Sequence, residues 1–576
     1  MSTVSTIEVD VIIPVHNASS TIKEAVLSAL NQEIPSSASG CSPSPLLKSF
    51  LQKYSISVTV CCFDDGSKDN SLDILRELET SQLGKDGTRT CEMATSGKSQ
   101  TISTNLIPSR LMIKSSEDGV GRGAGYARNR AIEMNNISLG DAMSPRGGNF
   151  NEEGNYAEEI STLKFLCLLD SDDVMHKHRI IEQVLYMIYI VDDKNRKQTI
   201  LGSTFNRDPP DSTWHYSNWA NNLTDERLML ERYREITILQ PTWFMPLSVW
   251  LRIGGYVEAP PLDSSDTISD VCSRINSSGS SFSESSCLIH PNFDTISSLR
   301  LAEDLRFFHS HLESNGILRL HRTSLATTGE NMLPLVTYRH MGDHRSQSFR
   351  TSRKLLLQLR VLAFQNSILR KNSFWNKGEK YFVIWGCGRD GKDFYKALDE
   401  DLKERVYCFV DIDIKKLNAG YYVDAKSRRI EIKQTQGIKG VSEKERKKRD
   451  VVRKIPIVHF SFLIQDQEEQ KIVRSEWLSN YKADNKSILG NIDKSKDRAG
   501  LRSPKFYEPK IQPRKKQKLI SITAKTPKLE DRGLDRKLLS WIPVVVCVAM
   551  YRTNGVLEKN VGTIGRKEGE TLWHFT

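Results

Sequence analysis

The pattern of apolar positions predicts alternating strands and helices at the start of the chain. Residues 9–15, 57–63 and 163–169 are short apolar runs rich in strand-forming residues, while apolar residues recur at helical spacing over 22–30 and 72–78. A strand that is apolar along its whole length is typical of a parallel sheet covered on both faces. The order of these segments therefore predicts an α/β fold with a parallel sheet and right-handed crossovers.

Two acidic clusters follow two of these predicted strands directly. They are Asp64-Asp65-Gly66-Ser67 and Asp170-Ser171-Asp172-Asp173. Parallel α/β sheets bind ligands at the carboxyl ends of their strands. Carboxylates gathered there, without a cation beside them in the sequence, indicate a site for a hard divalent cation that keeps positions for phosphate oxygens. We therefore expect a substrate that carries a diphosphate.

Six ordered sequence blocks resemble GT-A glycosyltransferases of family 2. They are VDVIIPVHNASSTIKEAVLSALNQ, CCFDDGSKDNSLDIL, GVGRGAGYARNRAI, FLCLLDSDDVMHKHRI, PTWFMPLSVWLRIGGY and LAEDLRFFHSHLE. The resemblance implies a nucleotide-diphospho-sugar transferase fold with a Rossmann-like mixed sheet. It also implies an inverting, metal-dependent transfer of a sugar, with GlcNAc preferred, from a UDP-sugar donor to a glycan or other hydroxyl acceptor.

The same resemblance assigns residues to the donor nucleotide. Pro14, His16 and Asn17 are expected to line a uridine pocket, and Asp64 or Asp65 to accept hydrogen bonds from uracil or ribose, because a carboxylate offers only acceptors. The alternative for the aspartates is a turn that merely ends the strand. Arg128 is expected to reach the nucleotide or the diphosphate, since a guanidinium fits phosphate bidentately. Its alternative is a solvated helix arginine.

For the cation, Mn²⁺ or Mg²⁺, Asp172 is the expected direct ligand. Asp170 is expected to bind ribose or the cation, through a bridging water in the latter case, while Asp173 is expected to cap a helix that begins near residue 175. His340 or His344 could supply a further ligand, although a histidine in a loop is more often a surface residue.

The acceptor side is predicted from a second acidic pair. Asp304 is expected to be the catalytic base and Glu303 to orient the acceptor sugar, and an ordinary acidic helix start is the alternative that can coexist with these roles. Trp243 is expected to stack on the acceptor, although tryptophan is more often a core residue. The Gln-x-x-Arg-Trp signature of processive family 2 synthases is missing, which favours single addition over polymerisation.

A second small Rossmann-like domain is predicted after the first. Gly386-Cys387-Gly388-Arg389-Asp390-Gly391 follows a predicted strand, and Asp411 ends the next one, so the spacing matches a dinucleotide-binding fingerprint. The charged residues in the loop and the few further βα units favour an accessory domain. An enzyme that works through a nucleotide bound here remains an alternative, as does a catalytically silent GT-A scaffold.

Composition sets the remaining expectations. The predicted domains are 1–350, a helical linker at 351–378, and 379–576, with solvated insertions at 34–54, 80–108, 138–161, 258–298, 426–454 and 465–540. The last two hold 12 basic against 4 acidic and 19 basic against 11 acidic residues, so each carries +8, and the rest of the chain carries −5 of the net charge of +11. Such runs are usually solvated loops, so nucleic acid is not an expected partner. The sequence shows no membrane span and no secretory signal, which predicts a cytoplasmic protein. None of the ten cysteines forms a Cys-x-x-Cys pair, which predicts reduced thiols.

Overall fold

The computed structural model describes residues 5–36, 42–82, 105–136, 164–258, 301–328, 334–340, 351–371, 375, 381–424, 453–476, 479, 532–548 and 555–575. The chain divides into two compact units, Met1–Ser367 and Ile368–Thr576. Most of the predicted insertions 80–108, 138–161, 258–298, 426–454 and 465–540 lie outside the described residues. Within the described ranges, none of the helices combines the length and the apolar composition that crossing a bilayer requires.

The first unit alternates strands and helices in its first half, as the apolar pattern predicts. Its strands are β1 (Ser5–Val15), β2 (Tyr54–Asp64), β3 (Ser109–Ser115), β4 (Lys164–Leu168), β5 (Val174–Met175), β6 (Thr199–Ser203), β7 (Phe205–Asp208), β8 (Phe244–Pro246), β9 (Ile317–His321) and β10 (Val336–Arg339). Its helices are α1 (Ile22–Leu30), α2 (Pro45–Leu51), α3 (Ser71–Gln82), α4 (Ala124–Met134), α5 (Arg179–Tyr189), α6 (Asp193–Arg196), α7 (Trp214–Asn221), α8 (Asp225–Leu230), α9 (Leu247–Ile253), α10 (Glu303–Glu313) and α11 (Arg353–Phe364), with a 3₁₀ turn at Gln240–Thr242.

Seven of these strands form one mixed sheet in the order β3-β2-β1-β4-β8-β6-β9. The strands β3, β2, β1 and β4 are parallel to one another, whereas β8 is antiparallel to both β4 and β6. Three further strands form a smaller sheet in the order β5-β10-β7, and β5 is the strand that follows β4 along the chain. The predicted Rossmann-like mixed sheet is confirmed, and the carboxyl ends of β1, β2 and β4 lie at one edge of it.

The alternation of side chains along β1 explains why its apolar run is continuous. Val11 and Ile13 belong to a core that includes α1 and α5, while Ile12 belongs to a core on the other face that includes α4 and α10. Successive residues of a strand point to opposite faces. Both faces of the central strand are therefore covered by helices, as an α/β sheet requires.

Two boundaries differ from the sequence-based expectation. Part of the predicted insertion 34–54 is folded, since α2 begins at Pro45, the Ser44 hydroxyl accepts the N–H of Leu47, and Leu47 and Phe50 are buried. Part of the predicted linker 351–378 is α11, which buries Leu355 and Leu359 in the core shared by α4 and α10. The sequence predicts a helical 351–378 but not its packing into this core, whereas the helix within 34–54 is not predicted.

The second unit contains a six-stranded sheet in the order β13-β14-β12-β11-β15-β16. Its strands are β11 (Phe382–Trp385), β12 (Val406–Asp411), β13 (Tyr421–Val423), β14 (Lys454–His459), β15 (Val544–Val546) and β16 (Leu572–His574), all parallel to their neighbours except β13. Its helices are α12 (Arg389–Ala397), α13 (Glu400–Lys403), α14 (Ile414–Ala419), α15 (Arg536–Leu539) and α16 (Val556–Thr563), with a 3₁₀ turn at Phe460–Leu463. The predicted second α/β domain is therefore present. Leu534 and Leu539 of the predicted basic insertion are buried in its core.

Candidate active site

The loops after β1 and β2 are tied to each other by side chains predicted to bind the nucleotide. His16 Nδ1 lies 2.8 Å from the carbonyl oxygen of Asp65, and Asn17 accepts the backbone N–H of Lys68 at 2.7 Å through Oδ1. Asn17 has a positive φ of 52°, which asparagine tolerates better than most residues. His16 and Asn17 are exposed on this edge, whereas Pro14 is buried within β1 and can only shape the strand end.

The two aspartates after β2 have different environments. Asp65 accepts the backbone N–H of Arg122 at 2.9 and 2.7 Å through its two oxygens, and the N–H of Gly123 at 2.6 Å. Burial raises the pKa of Asp65 while these N–H groups oppose the rise. This carboxylate therefore fastens the glycine-rich loop in front of α4. The N–H groups of that loop at 122 and 123 point at Asp65, and not at an open phosphate position.

Asp64 keeps acceptor capacity that Asp65 does not. Its Oδ2 accepts the N–H of Ser67 at 3.2 Å, and its Oδ1 is buried without a hydrogen-bond partner in the described part of the chain. A buried carboxylate oxygen without a partner is costly, and such an atom calls for an explanation in a folded protein. Between the two residues that the sequence left open for the nucleotide, the geometry favours Asp64.

The second acidic cluster brings three carboxylates together beyond β4. Asp170, Asp172 and Asp173 each offer an oxygen atom, and these oxygens lie within 4.8 Å of one another. Burial and then the negative charge of Asp170 raise the pKa of Asp172 to about 6. Hard oxygen donors at this spacing suit a divalent cation such as Mg²⁺ or Mn²⁺, whose charge would offset the repulsion within the cluster.

Asp173 belongs to this cluster and does not cap a helix, so the expected cap is wrong. The chain continues into β5, and α5 begins only at Arg179, after His178. Asp173 is completely buried, accepts the backbone N–H of Arg339 at 2.8 Å through Oδ1, and leaves Oδ2 without a partner among the described residues. Burial, followed by the charges of Asp172 and Asp170, raises the pKa of Asp173.

Of the two histidines proposed as further ligands, His340 belongs to the described residues and lies outside the cluster. His340 follows the Arg339 that contacts Asp173, and its backbone N–H donates to the carbonyl of Asp208 at 2.7 Å. Its ring is not part of the group of atoms within 4.8 Å in the described chain. His344 lies outside the described residues.

Arg128 contacts both the second acidic cluster, Asp170, Asp172 and Asp173, and the predicted catalytic pair. It is 3% exposed on α4, donates to Asp170 at 2.6 Å and to Glu303 at 2.9 Å, and its guanidinium lies 5.7 Å from the ring centre of Tyr256. Burial lowers the pKa of Arg128, but Asp170 and Glu303 outweigh burial and raise it overall. The contacts in the structure are therefore with protein carboxylates, where the sequence predicted the nucleotide or diphosphate.

Glu303 and Asp304 begin α10, after a residue with unusual backbone geometry. Ala302 has a φ of 55° in the left-handed region, which costs a non-glycine residue roughly 1–2 kcal/mol. Asp304 accepts the N–H of Leu305 at 2.7 Å. Burial and then the charge of Glu303 raise the pKa of Asp304 to about 7, with Arg128 lowering it and Glu235 raising it further. A carboxylate with such a pKa can accept a proton near neutral pH.

The expected acceptor platform Trp243 is a core residue, so this assignment is corrected. Its side chain is fully buried, its indole N–H donates to the carbonyl of Ile238 at 2.9 Å, and its ring packs near Phe307 and Phe308 of α10. A ring without exposed surface cannot stack on a sugar. Its structural effect is to hold the helix that begins with the acidic pair.

The second unit contains the glycine-rich loop of the fingerprint, but the acidic residue of the fingerprint, Asp411, binds other groups of the protein. Asp411 accepts the N–H of Cys387 at 2.7 Å, the ammonium of Lys416 at 2.8 Å, and the N–H groups of residues 412 and 413 at 2.9 Å. A Cβ on Gly391 would lie 1.8 Å from the carbonyl oxygen of Gly386, so this glycine permits close packing of α12 on the loop. The Asp411 carboxylate therefore binds groups of its own loop and of Lys416. In a dinucleotide site it would have to accept from a ribose hydroxyl instead.

The sequence of the first unit matches a known family in its opening segment. Residues 10–103 match the profile described as Glycosyl transferase family 2. This opening segment of the first unit is therefore similar to family 2 glycosyltransferases. The matched segment contains β1 from residue 10 onwards, the whole of β2 with Asp64 at its end, and Asp65. The predicted enzyme class, a glycosyltransferase, is confirmed.

Solved structures resemble this chain only distantly. S. aureus TarS is 14% identical, covering 69% of this chain and 50% of that chain, with a TM-score of 0.30. TarS 1-349 in complex with UDP-GlcNAc is 13% identical over 69% of this chain and 84% of that chain, with a TM-score of 0.33. The mannosyltransferase PcManGT from Pyrobaculum calidifontis in complex with GDP-Man and Mn²⁺ is 12% identical over 62% and 64%, with a TM-score of 0.29. The chain thus spans about half the length of TarS.

Proposed function

We propose that this chain is an inverting, metal-dependent glycosyltransferase that moves one sugar from a UDP-sugar to an acceptor hydroxyl. The choice of UDP and of GlcNAc depends on the sequence blocks, which resemble not only family 2 but also the UDP-GlcNAc:βGal β-1,3-N-acetylglucosaminyltransferase-like protein 1. That resemblance also suggests a β-galactoside as the first acceptor to try.

On the donor side, the residues fit a nucleoside diphosphate bound with a cation. Asp64 has an oxygen that could accept from the base or the ribose, and His16 and Asn17 are exposed beside it. Asp170, Asp172 and Asp173 would hold Mn²⁺ or Mg²⁺. When bound, that cation would supply positive charge next to the diphosphate as the sugar leaves it.

On the acceptor side, Asp304 is the proposed base. It takes the proton of the acceptor hydroxyl as that oxygen forms a bond to the anomeric carbon from the face opposite the diphosphate. The bond between the anomeric carbon and the diphosphate oxygen breaks, and UDP leaves with the bonding electrons. Attack from the opposite face inverts the anomeric configuration. Glu303, which accepts a hydrogen bond from Arg128, is the residue we propose to orient the acceptor.

One observation carries the proposal: a single buried arginine contacts both the acidic cluster and the carboxylate next to the proposed base. Arg128 contacts Asp170 of the cluster and Glu303 beside the base at 2.6 and 2.9 Å. A catalytically silent scaffold would not need to hold two acidic groups around the buried guanidinium of Arg128, because buried charges are costly to desolvate.

The test is UDP release with UDP-GlcNAc, Mn²⁺ and a β-galactoside, run alongside UDP binding by calorimetry. We expect Asp304→Asn to lower transfer by roughly 10²- to 10⁴-fold with UDP affinity retained. Asp172→Asn should weaken the binding of UDP with Mn²⁺. Asp193→Asn is the control, because Asp193 is 90% exposed on α6 and should change neither.

The outcomes separate enzyme from scaffold. Binding of UDP-GlcNAc without transfer to any hydroxyl acceptor, unchanged by Asp304→Asn, would support the silent scaffold. Full transfer activity in Asp304→Asn would remove Asp304 as the base. The engagement of Asp411 by Cys387 and Lys416 argues against a nucleotide-dependent enzyme that works through the second unit.

A further inference from the structure

The bridge made by Arg128 connects two carboxylates that have separate proposed tasks. Asp170 belongs to the cation-type cluster, and Glu303 precedes the proposed base. The two carboxylates lie on different elements, and Arg128 on α4 is the side chain that contacts both. At 3% exposure, this guanidinium is shielded from water, so its pairings are weakly screened.

The planar guanidinium suits this task better than any other cationic side chain. It donates through two different nitrogens, Nη2 to Asp170 and Nη1 to Glu303, at the same time. A lysine ammonium is a single compact charge and cannot span both carboxylates in the same way. Tyr256 lies beside the guanidinium, with its ring centre 5.7 Å away, and helps to fix the plane of the group.

A cation in the cluster and Arg128 would both be attracted to Asp170, and they would repel each other. We propose that Arg128 is a positioning residue that couples the cation site to the acceptor-side carboxylates, so that cation binding shifts its hold from Asp170 towards Glu303. This inference rests on the proposed function, because it takes the three aspartates as the cation site. Coupling of this kind is reciprocal, so changes at Glu303 must alter cation affinity.

Two other roles for Arg128 make different predictions. If Arg128 only stabilises the fold, its loss leaves buried carboxylates without a partner and weakens every function of the site together. If it contacts the donor diphosphate, its loss weakens UDP binding but leaves binding of the cation alone unchanged. Under the proposed coupling, loss of the positive charge strengthens binding of the cation alone.

The experiment measures Mn²⁺ binding without a donor, by electron paramagnetic resonance of the unbound ion, on the full chain. We expect Arg128→Met to bind Mn²⁺ roughly 10-fold more tightly, because a like charge has been removed near the ion. Arg128→Lys should bind Mn²⁺ within about 3-fold of wild type, because it keeps the charge. Arg130→Met is the matched control on the same helix, since Arg130 pairs with Glu133 and Glu258 instead.

A double-mutant cycle with Glu303→Gln then tests the bridge itself. In the Arg128 background, Glu303→Gln should weaken Mn²⁺ binding by roughly 5-fold, because the guanidinium then turns fully to Asp170. In the Arg128→Met and Arg128→Lys backgrounds the same change should have a clearly smaller effect. The lysine background keeps the test valid even if Arg128→Met does not fold.

The results that overturn the inference differ from those that overturn the proposed function. Weaker or unchanged Mn²⁺ binding in Arg128→Met, or an equal effect of Glu303→Gln in all backgrounds, overturns the coupling while the cation site stands. Failure of the wild type to bind Mn²⁺ or Mg²⁺ at all overturns the metal-dependent function, and the coupling with it.

Discussion

Replacing Asp65 by asparagine tests which of the two adjacent aspartates shapes the site and which one meets the nucleotide. In the structure the Asp65 carboxylate accepts the N–H groups of Arg122 and Gly123. An asparagine keeps one acceptor oxygen and turns an NH₂ group towards a backbone N–H. The glycine-rich loop would then lose at least one of its attachments to β2.

The magnitude follows from these bonds. Hydrogen bonds to a charged acceptor contribute roughly 1.5–3 kcal/mol each, and a buried donor left without a partner costs roughly 1–3 kcal/mol. One lost bond and one donor facing an NH₂ group give an expected loss of roughly 2.5–6 kcal/mol in the free energy of unfolding of the first unit. Asp64→Asn should cost under about 1 kcal/mol, because Asp64 accepts only a long bond of 3.2 Å from Ser67.

The assay must report the first unit by itself, since a chain of two units need not unfold in one step. Urea unfolding followed by hydrogen exchange of peptides from β1 and β2 meets this need, with UDP affinity measured in parallel. We expect Asp65→Asn to lower stability and Asp64→Asn to lower UDP affinity at near wild-type stability. Equal stability of the two variants, with equal loss of UDP affinity, would refute the division of labour.

Three further predictions concern the base, the turn and the cation. Transfer should rise as pH increases through about 7, because Asp304 must lose its proton to act as a base and its pKa is raised to about 7; a rate that is flat from pH 5.5 to 8.5 would contradict this. Gly66→Ala should destabilise the first unit by about 2 kcal/mol or more in urea unfolding, because its φ is +70° and a Cβ would lie 2.5 Å from the Gly119 carbonyl oxygen; unchanged stability would argue against that geometry. EDTA should abolish transfer and Mn²⁺ or Mg²⁺ should restore it, whereas transfer that persists in EDTA would exclude the cation role of Asp172.

The order of elements could be predicted from the sequence because it depends on local patterns. The run at 57–63 predicts a buried strand, and β2 contains it within Tyr54–Asp64. The acidic residues at 64 and 170 could be placed at the same sheet edge because parallel strands end on the same side. The sequence alone therefore predicts which carboxylates come together in the candidate site.

The partners within the site could not be predicted, because they are distant in sequence. Arg128 and Glu303 are separated by 175 positions, and Asp173 and Arg339 by 166. No periodicity links such positions, and both pairs depend on how helices and the small sheet pack on the large one. The burial of Trp243 was equally hidden from the sequence. It depends on Phe307 and Phe308, which lie in a helix that begins 60 positions later.

These distant contacts give several acidic residues of the site two tasks at once. Asp65 holds a loop, Asp173 holds the backbone at Arg339, and Glu303 holds Arg128, while their neighbours remain available to a ligand. Loss of activity after replacing such a residue therefore does not identify it as catalytic. Because a buried carboxylate that accepts backbone N–H groups contributes to stability as well as to charge, each variant needs a binding and a stability measurement beside its rate. The contrast between Asp64 and Asp65, two neighbours with opposite expectations, offers the sharpest separation of these tasks in the chain.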